Sequence, residues 1–160
     1  MGKIKLDFHI HSYHSPDGNM KSMDILENAI TNNLDVISVT DHNSTKGGIE
    51  TRNLAEKKDM PIKVIVGQEV LTDSGEIIVL NIEEEIPKHL TLEETLSYGK
   101  KGFLIAPHPF DKFRKGIGNA INHVKTEIVA IDAVSNKHLR LRPITHVNYS
   151  ELAVPLKKNS

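Results

Sequence analysis

The stretch LDFHIHSYHSPDG, residues 6–18, carries His9, His11 and His14 together with Asp7 and Asp17. Side chains of the same kind recur further on, as Asp41 and His42 in VISVTDH, Glu69 in IVGQE and His108 in APHPF. Imidazole nitrogens and carboxylate oxygens suit Zn²⁺, Mn²⁺ or Fe²⁺, and several carboxylates among histidines suit more than one cation. Two cations about 3.5–4 Å apart share a carboxylate, activate a water and clamp the oxygens of a phosphoryl group. Hydrolysis of a phosphate ester is the chemistry such a set serves. A lone histidine at a strand end ordinarily caps the strand or faces solvent, and Asp41 with His42 alone would read equally well as a turn or helix cap. Recurrence at four strand ends is what makes these residues a candidate site.

For those residues to meet, the chain must bring the four ends together. Ile4 to Ile10 alternates as a strand, Met23 to Asn32 has helical spacing, and DVISVT (35–40) is short, apolar and β-branched, which together make a βαβ unit. Thr45 to Lys58 reads as a second helix and IKVIVGQE (62–69) as a buried strand. LTDSGEIIVLNI (71–82) reads as a hairpin with Asp73, Ser74 and Gly75 at its turn. Leu90 to Tyr98 is a helix opened by Thr91 and Glu94, a capping box. GFLIAPHPF (102–110) and TEIVAIDAV (126–134) supply two more strands. Strands alternating with helices imply an α/β fold with a largely parallel sheet, open or closed as a barrel. Strand alternation puts Asp7, His9 and His11 on one face, with Phe8 and Ile10 on the other. Every candidate ligand then falls at a carboxyl end of a strand, the edge where such folds build their sites.

Composition narrows the function classes. With 160 residues and 38% hydrophobic content the chain can bury one ordinary core, so disorder is not expected. Twenty basic residues against 21 acidic ones give a net charge of −1, which supplies no general attraction for nucleic acid or an anionic membrane. The absence of cysteine removes disulfides, thiolate nucleophiles and zinc–cysteine sites, and fits a reducing compartment. No signal-peptide pattern and no apolar run of about 20 residues occurs, so the chain reads as soluble and cytoplasmic. His89, His123 and His146 lack a strand-end setting and read as surface residues, while His14 sits in a loop with Ser15 and Pro16.

In this order, DFHIHSYHSPDG, ISVTDHNS, VGQE and APHPF resemble the motifs of the PHP family of metal-dependent phosphoesterases, named for polymerase and histidinol phosphatase. The resemblance runs from about residue 4 to 135 and implies a distorted seven-stranded (β/α) barrel, with up to three metal ions in its mouth. Carried over by residue, it implies that His9, His11, Asp17, His42, Glu69 and His108 are ligands, with Glu69 bridging. Glu76 occupies a hairpin position where many members have a histidine, and a carboxylate there can still coordinate. Asp7 is expected to accept an imidazole N–H and fix a tautomer. The implied reaction is hydrolysis of a small phosphate mono- or diester by metal-activated hydroxide.

The departures from the family are also specific. No Asp-x-His motif of the kind usual on the last strand is present, and no Asp follows Asp132. Asp132 and Asn136 are the nearest remnants of the usual acidic strand motif before an Asn. A PHP-like domain over residues 1–136, incomplete at its C-terminus, with a divergent tail over 137–160 is therefore expected, truncation or frameshift being the preferred explanation. An incomplete barrel leaves a strand edge open for association between copies. One metal position should keep all its protein ligands and two should be weakened. Beyond His108, the loop HPFDKFRKGIGNAI (108–121) carries Lys112, Arg114 and Lys115, and Arg114 is the expected phosphate contact, aiding charge stabilisation. Two other classes stay open: a vestigial or regulatory metal-binding module without catalysis, and a nuclease or proofreading-type domain. The second is disfavoured by the balanced charge and an aromatic content of 4%.

Overall fold

The computed structural model describes residues 4–99, 102–111, 113–124 and 128–132. Strands β1 (Leu6–Ile10), β2 (Val36–Val39) and β3 (Lys63–Leu71) run parallel, joined by helices α1 (Ser22–Thr31) and α2 (Lys46–Lys57). The tight turn after β3 leaves no room for a crossover, so β4 (Glu76–Leu80) returns antiparallel. Helix α3 (Leu92–Tyr98) follows, with the expected Thr91–Glu94 capping box at its start. It leads to β5 (Phe103–Pro107), antiparallel to β4. A short helix α4 (Ile121–Val124) precedes β6 (Ile128–Asp132), parallel to β5. The sheet follows chain order from β1 to β6.

Alternation along each strand divides the apolar residues between two faces. Outward, Ile37, Val39 and Val64 pack against Ile25, Leu26 and Ala29 of α1 and Ala55 of α2. Val70, Ile77, Val79 and Leu104 do the same with Leu92 and Leu96 of α3. Inward, Phe8 of β1 meets Ile78 and Leu80 of β4, Ile105 of β5 and Ala130 of β6. A flat sheet would hold β1 and β6 at opposite extremes. Their contact across this cluster shows that the sheet curls into a half-barrel with helices outside. Six strands occur among the described residues where seven were expected, and β1 and β6 stand at the two edges of the sheet without pairing. The expected tail from residue 137 lies outside the described residues. Among those described, no helix is long and apolar enough to cross a membrane.

The assignment of faces on β1 is corrected by a bulge. Asp7 pairs with Ile37 while Ile10 pairs with Val39, so three steps on β1 face two on β2. The extra residue breaks the alternation and lets neighbouring residues share a side. Phe8 enters the inner core while His9, next in sequence, reaches Glu69 and Asp132 in the mouth of the half-barrel. Asp7 is thereby put out of phase with His9.

The start of α2 is packed against this same end of the barrel. A Cβ on Gly47 would collide with the Asp41 carboxylate and the Ser12 hydroxyl, so only glycine allows the helix to approach so closely. Gly47→Ala should destabilise the protein by about 1–3 kcal/mol, as overpacking of a tight site does. Thermal unfolding measures this: a drop of several degrees is expected, and an unchanged midpoint would contradict the close approach.

Candidate metal centre

Glu69 lies near the end of β3 and is almost fully buried, at 1% exposure. Four imidazoles surround its carboxylate. His9 Nε2, His11 Nε2 and His42 Nδ1 stand 3.3, 2.9 and 3.4 Å from Oε2, and His108 Nε2 stands 3.4 Å from Oε1. Each arrives from a different part of the curled sheet. His9 and His11 come from β1 and its exit, and His42 follows β2, held by bridge pairing of its backbone to Glu69. His108 leaves β5 in the left-handed region, at φ 31°, with its N–H donating to the Asp132 carbonyl at 2.6 Å. Asn43 also adopts positive φ, and its side-chain oxygen accepts from Leu71 N at 3.1 Å. These contacts fasten the turn carrying His42 onto β3.

Two further carboxylates complete the set. Asp17 Oδ1 is 2.8 Å from His11 Nδ1, and its Oδ2 is 3.6 Å from His42 Nε2. Glu76, opening β4, lies 3.7 Å from His42 and 3.8 Å from His108. All seven residues read from the sequence as ligands are thus brought to one mouth. Their donor atoms form three overlapping groups: His9, His11 and Glu69; His11, Asp17 and His42; Glu69, Glu76 and His108. In each group the atoms lie within 4.8 Å of one another. These groups can hold metal ions. Their chemistry fits: all donors are nitrogen or oxygen, and the buried Glu69 Oε1 and His11 Nε2, though close to imidazole nitrogen and carboxylate oxygen, meet no partner in hydrogen-bond geometry.

The electrostatics point the same way. Burial opposes charge on Glu69, yet the imidazoles of His108, His11 and His9 set against it overcome that and hold the carboxyl far below the usual range. Burial also works against a charged His9, but Asp132 and Glu69 outweigh it and raise the imidazole to about 10. Glu76 is pushed up, first by burial and then by the negative Glu69 beside it. Two carboxylates facing each other in a buried mouth call for positive charge between them.

Supporting contacts explain the loop between His11 and Asp17. Asp41 is fully buried and accepts from Ser12 N at 2.6 Å and Ser12 Oγ at 2.7 Å. Ser15 Oγ donates to Asp17 at 2.8 Å and accepts from His42 N at 3.2 Å. Asp41 therefore shapes the site without entering it. His14 turns away, its Nε2 2.9 Å from Glu50, which also accepts from Tyr13 and Ser22.

One expected contact changes. Asp7 touches no imidazole among the described residues: its Oδ1 accepts the backbone N–H of His9 at 3.1 Å. The bulge turns the His9 ring away from it, and Asp132 Oδ2 meets His9 Nδ1 at 2.9 Å instead. Asp132 was legible only as a remnant of a strand motif, although the signal was the same one used elsewhere, an acid ending a strand. Arg114 is not among the groups around Glu69 and Glu76; its Nε lies 3.9 Å from Asp111 Oδ2, and the lysine whose field reaches Glu76 is Lys115. Lys112 is outside the described residues. His89 is exposed as expected, while the His123 side chain and His146 lie outside the description.

A half-barrel with three histidine–carboxylate groups at its mouth defines an α/β protein with side chains able to bind metal. The PHP domain family model matches residues 7–137, and the chain belongs to that family. An uncharacterised protein of Methanocaldococcus jannaschii, MJ1587, is 38% identical over 130 residues, covering 74% of this chain and 75% of that one. Among solved structures, a two-domain protein of Bacteroides vulgatus containing a predicted PHP-like metal-dependent phosphoesterase superposes with a TM-score of 0.67 at 21% identity. The match covers 80% of this chain and 43% of that one. A Bifidobacterium adolescentis protein, described as a candidate metal-dependent phosphoesterase, gives 0.63 at 12% identity, covering 81% and 77%. At these identities the structures speak for the fold.

A ligand that binds only the folded state stabilises it, by about 2.7 kcal/mol at a hundredfold excess over Kd. Adding Zn²⁺ or Mn²⁺ to chelator-treated protein should raise the unfolding midpoint by several degrees, and Glu69→Gln should abolish the rise. An equal rise in that variant would place the metal elsewhere. Asp132→Ala should weaken metal binding by about 10–100-fold, measured by competition with a chromogenic chelator, because it removes the acceptor that orients His9. Unchanged affinity would mean that the 2.9 Å contact does not orient the ring.

Proposed function

We propose that the protein is a metal-dependent phosphoesterase acting on a small phosphate mono- or diester. The observation that carries this is the overlap of three ligand groups through Glu69 and His11 at the mouth. Its metal would be Zn²⁺, Mn²⁺ or Fe²⁺, since imidazole and carboxylate donors suit all three. His9, His11, Asp17, His42, Glu69, Glu76 and His108 would hold it, within a PHP-type barrel of seven strands. Cations bound there lower the pKa of a water and neutralise charge on a phosphoryl group.

The protein's own side chains supply position and charge. Glu69, shared by two groups, sets the spacing of whatever they hold. Asp132 fixes the orientation of His9 through Nδ1. No side-chain nucleophile is needed: cysteine is absent from the sequence, and the serines in the loop between His11 and Asp17, Ser12 and Ser15, donate their hydroxyls to Asp41 and Asp17. Arg114 remains the candidate contact for a substrate phosphate, since 3.9 Å to Asp111 is too long for a hydrogen bond that would lock it.

The groups differ in enclosure, which orders their affinities. Glu69, Glu76 and His108 have side-chain exposures of 1, 13 and 4%, whereas Asp17 in the outer group is 46% exposed. The enclosed position should fill first and the Asp17 position last.

The reading is tested on protein purified without chelators, by elemental analysis and by hydrolysis of a generic aryl phosphate before and after Mn²⁺ or Zn²⁺. Bound metal with turnover that His9→Ala and Glu69→Ala each lower by a hundredfold or more is the expected result. Bound metal without turnover would favour a metal-binding module that has lost catalysis.

A further inference from the structure

One carboxylate near the mouth serves no ligand group and yet gathers contacts. Glu50 of α2 is a member of none of the three groups, but three side chains converge on it. Tyr13 Oη donates to its Oε2 at 2.7 Å, His14 Nε2 stands 2.9 Å from the same oxygen, and Ser22 Oγ donates to Oε1 at 2.9 Å. Hydrogen bonds from His14 and Tyr13 hold the carboxyl below its usual range, so it is an anion met by donors on both oxygens.

The partners of Glu50 are placed meaningfully along the chain. Tyr13 and His14 open, and the buried Ser22 closes, the segment that carries Asp17. Asp17 is also the ligand most in need of support: its side chain is 46% exposed, and it stands on a loop, 2.8 Å from His11 and 3.6 Å from His42. Inside the segment the backbone is closely folded. Tyr13 N donates to the Met20 carbonyl at 2.9 Å, and a Cβ on Gly18 would collide with the Ser12 carbonyl oxygen. Asp41 holds Ser12 ahead of this segment, whereas Glu50 holds residues on both sides of Asp17. Gly47 lies one turn before Glu50 on the same side of α2, so a single helix face packs on Ser12 and ties down the segment beyond it. A loop fixed in advance loses less freedom when its ligand arrives, which raises affinity.

We propose that Glu50 is a positioning residue for the outer metal position, pinning Tyr13, His14 and Ser22 to α2 and so presetting Asp17 against His11 and His42. The ligand is a divalent cation that Glu50 does not touch. This rests on the metal-site reading and adds a selectivity to it. The outer group depends on Glu50, whereas the enclosed group of Glu69, Glu76 and His108 does not, because its members stand on β3, on β4 and at the exit of β5.

Zn²⁺ titration of chelator-treated full-length protein, in competition with a chromogenic chelator, resolves the successive binding steps. Asp17→Ala identifies the outer step as the one it removes. Glu50→Ala should weaken that step by about tenfold, the lower end of what loss of a supporting contact costs a metal site, and leave the tighter steps unchanged. Glu50→Gln should bring the outer step back to within about threefold of wild type, the scale of one neutral hydrogen bond. Its amide oxygen accepts from Tyr13 and His14, and its NH₂ donates to the Ser22 hydroxyl, which accepts as readily as it donates. Tyr13→Phe, which deletes one donor from a half-exposed ring, should produce a smaller loss confined to the same step, and it carries the test if Glu50→Ala does not fold.

An outer step unchanged in Glu50→Ala, or in Tyr13→Phe where that variant stands alone, would overturn the proposal and leave the metal reading intact. An equal fall in every step would make Glu50 a general stabiliser and overturn it as well. If Glu50→Gln were as damaging as Glu50→Ala, the charge of Glu50 rather than its hydrogen bonds would be at work, and the pinning role would fail. Wild-type binding untouched by Asp17→Ala would sink the proposal alone, and no binding at all would sink the metal reading with it.

Discussion

A buried carboxylate inside a ring of imidazoles is the constraint on which this molecule is built. Glu69 sits at 1% exposure with four histidine nitrogens 2.9–3.4 Å from its oxygens. Such a group is tolerable only if positive charge surrounds it, because desolvating an unpaired carboxylate costs several kcal/mol or more. Protonated imidazole can supply that charge, and Asp132 and Glu69 both favour the protonated form of His9. A cation would supply it more compactly and would also relieve the repulsion between Glu69 and Glu76. The arrangement therefore favours metal for a structural as well as a chemical reason.

Much of the surrounding architecture serves to bring ligands to that carboxylate. Parallel strands deliver His11 and His42 to one edge, as the alternation of strands and helices requires. The hairpin breaks the parallel run, and by doing so turns Glu76 back toward the same edge, opposite Leu71 in the antiparallel register. A helix in that place would have carried the chain to the far end of the sheet. The bulge on β1 lets Phe8 and His9 serve the inner core and the mouth from adjacent positions. Behind the ligands, Asp41 and Gly47 lock the His11–Asp17 loop against α2, so the outer donors are set by packing as well as by charge.

The order of elements was legible in the sequence because each strand is a short β-branched run and each helix has an apolar stripe. His9, His11, His42, Glu69 and His108 were legible because they stand at or just past the ends of such strands, whereas Asp17 in a loop and Glu76 at the start of β4 were reached only through the family resemblance. What escaped was finer than periodicity. A bulge is one extra residue, and nothing in LDFHI marks where it falls, so Asp7 was assigned the tautomer-fixing contact that the structure gives to Asp132. That partner comes from β6, 123 residues away in the chain, and only the curl of the sheet brings it to His9. Likewise His14 looks as much like a ligand as His11 in sequence, and only the tertiary position of Glu50 decides that it turns outward.

The central claim, that Glu69 is shared between adjacent metal positions, is tested most directly by anomalous diffraction from a crystal grown with Zn²⁺ or Mn²⁺. The account predicts at least two separate anomalous peaks, each about 2.0–2.3 Å from a Glu69 oxygen and from histidine nitrogens of different groups. A single peak that does not touch Glu69, or peaks confined to surface histidines, would contradict it.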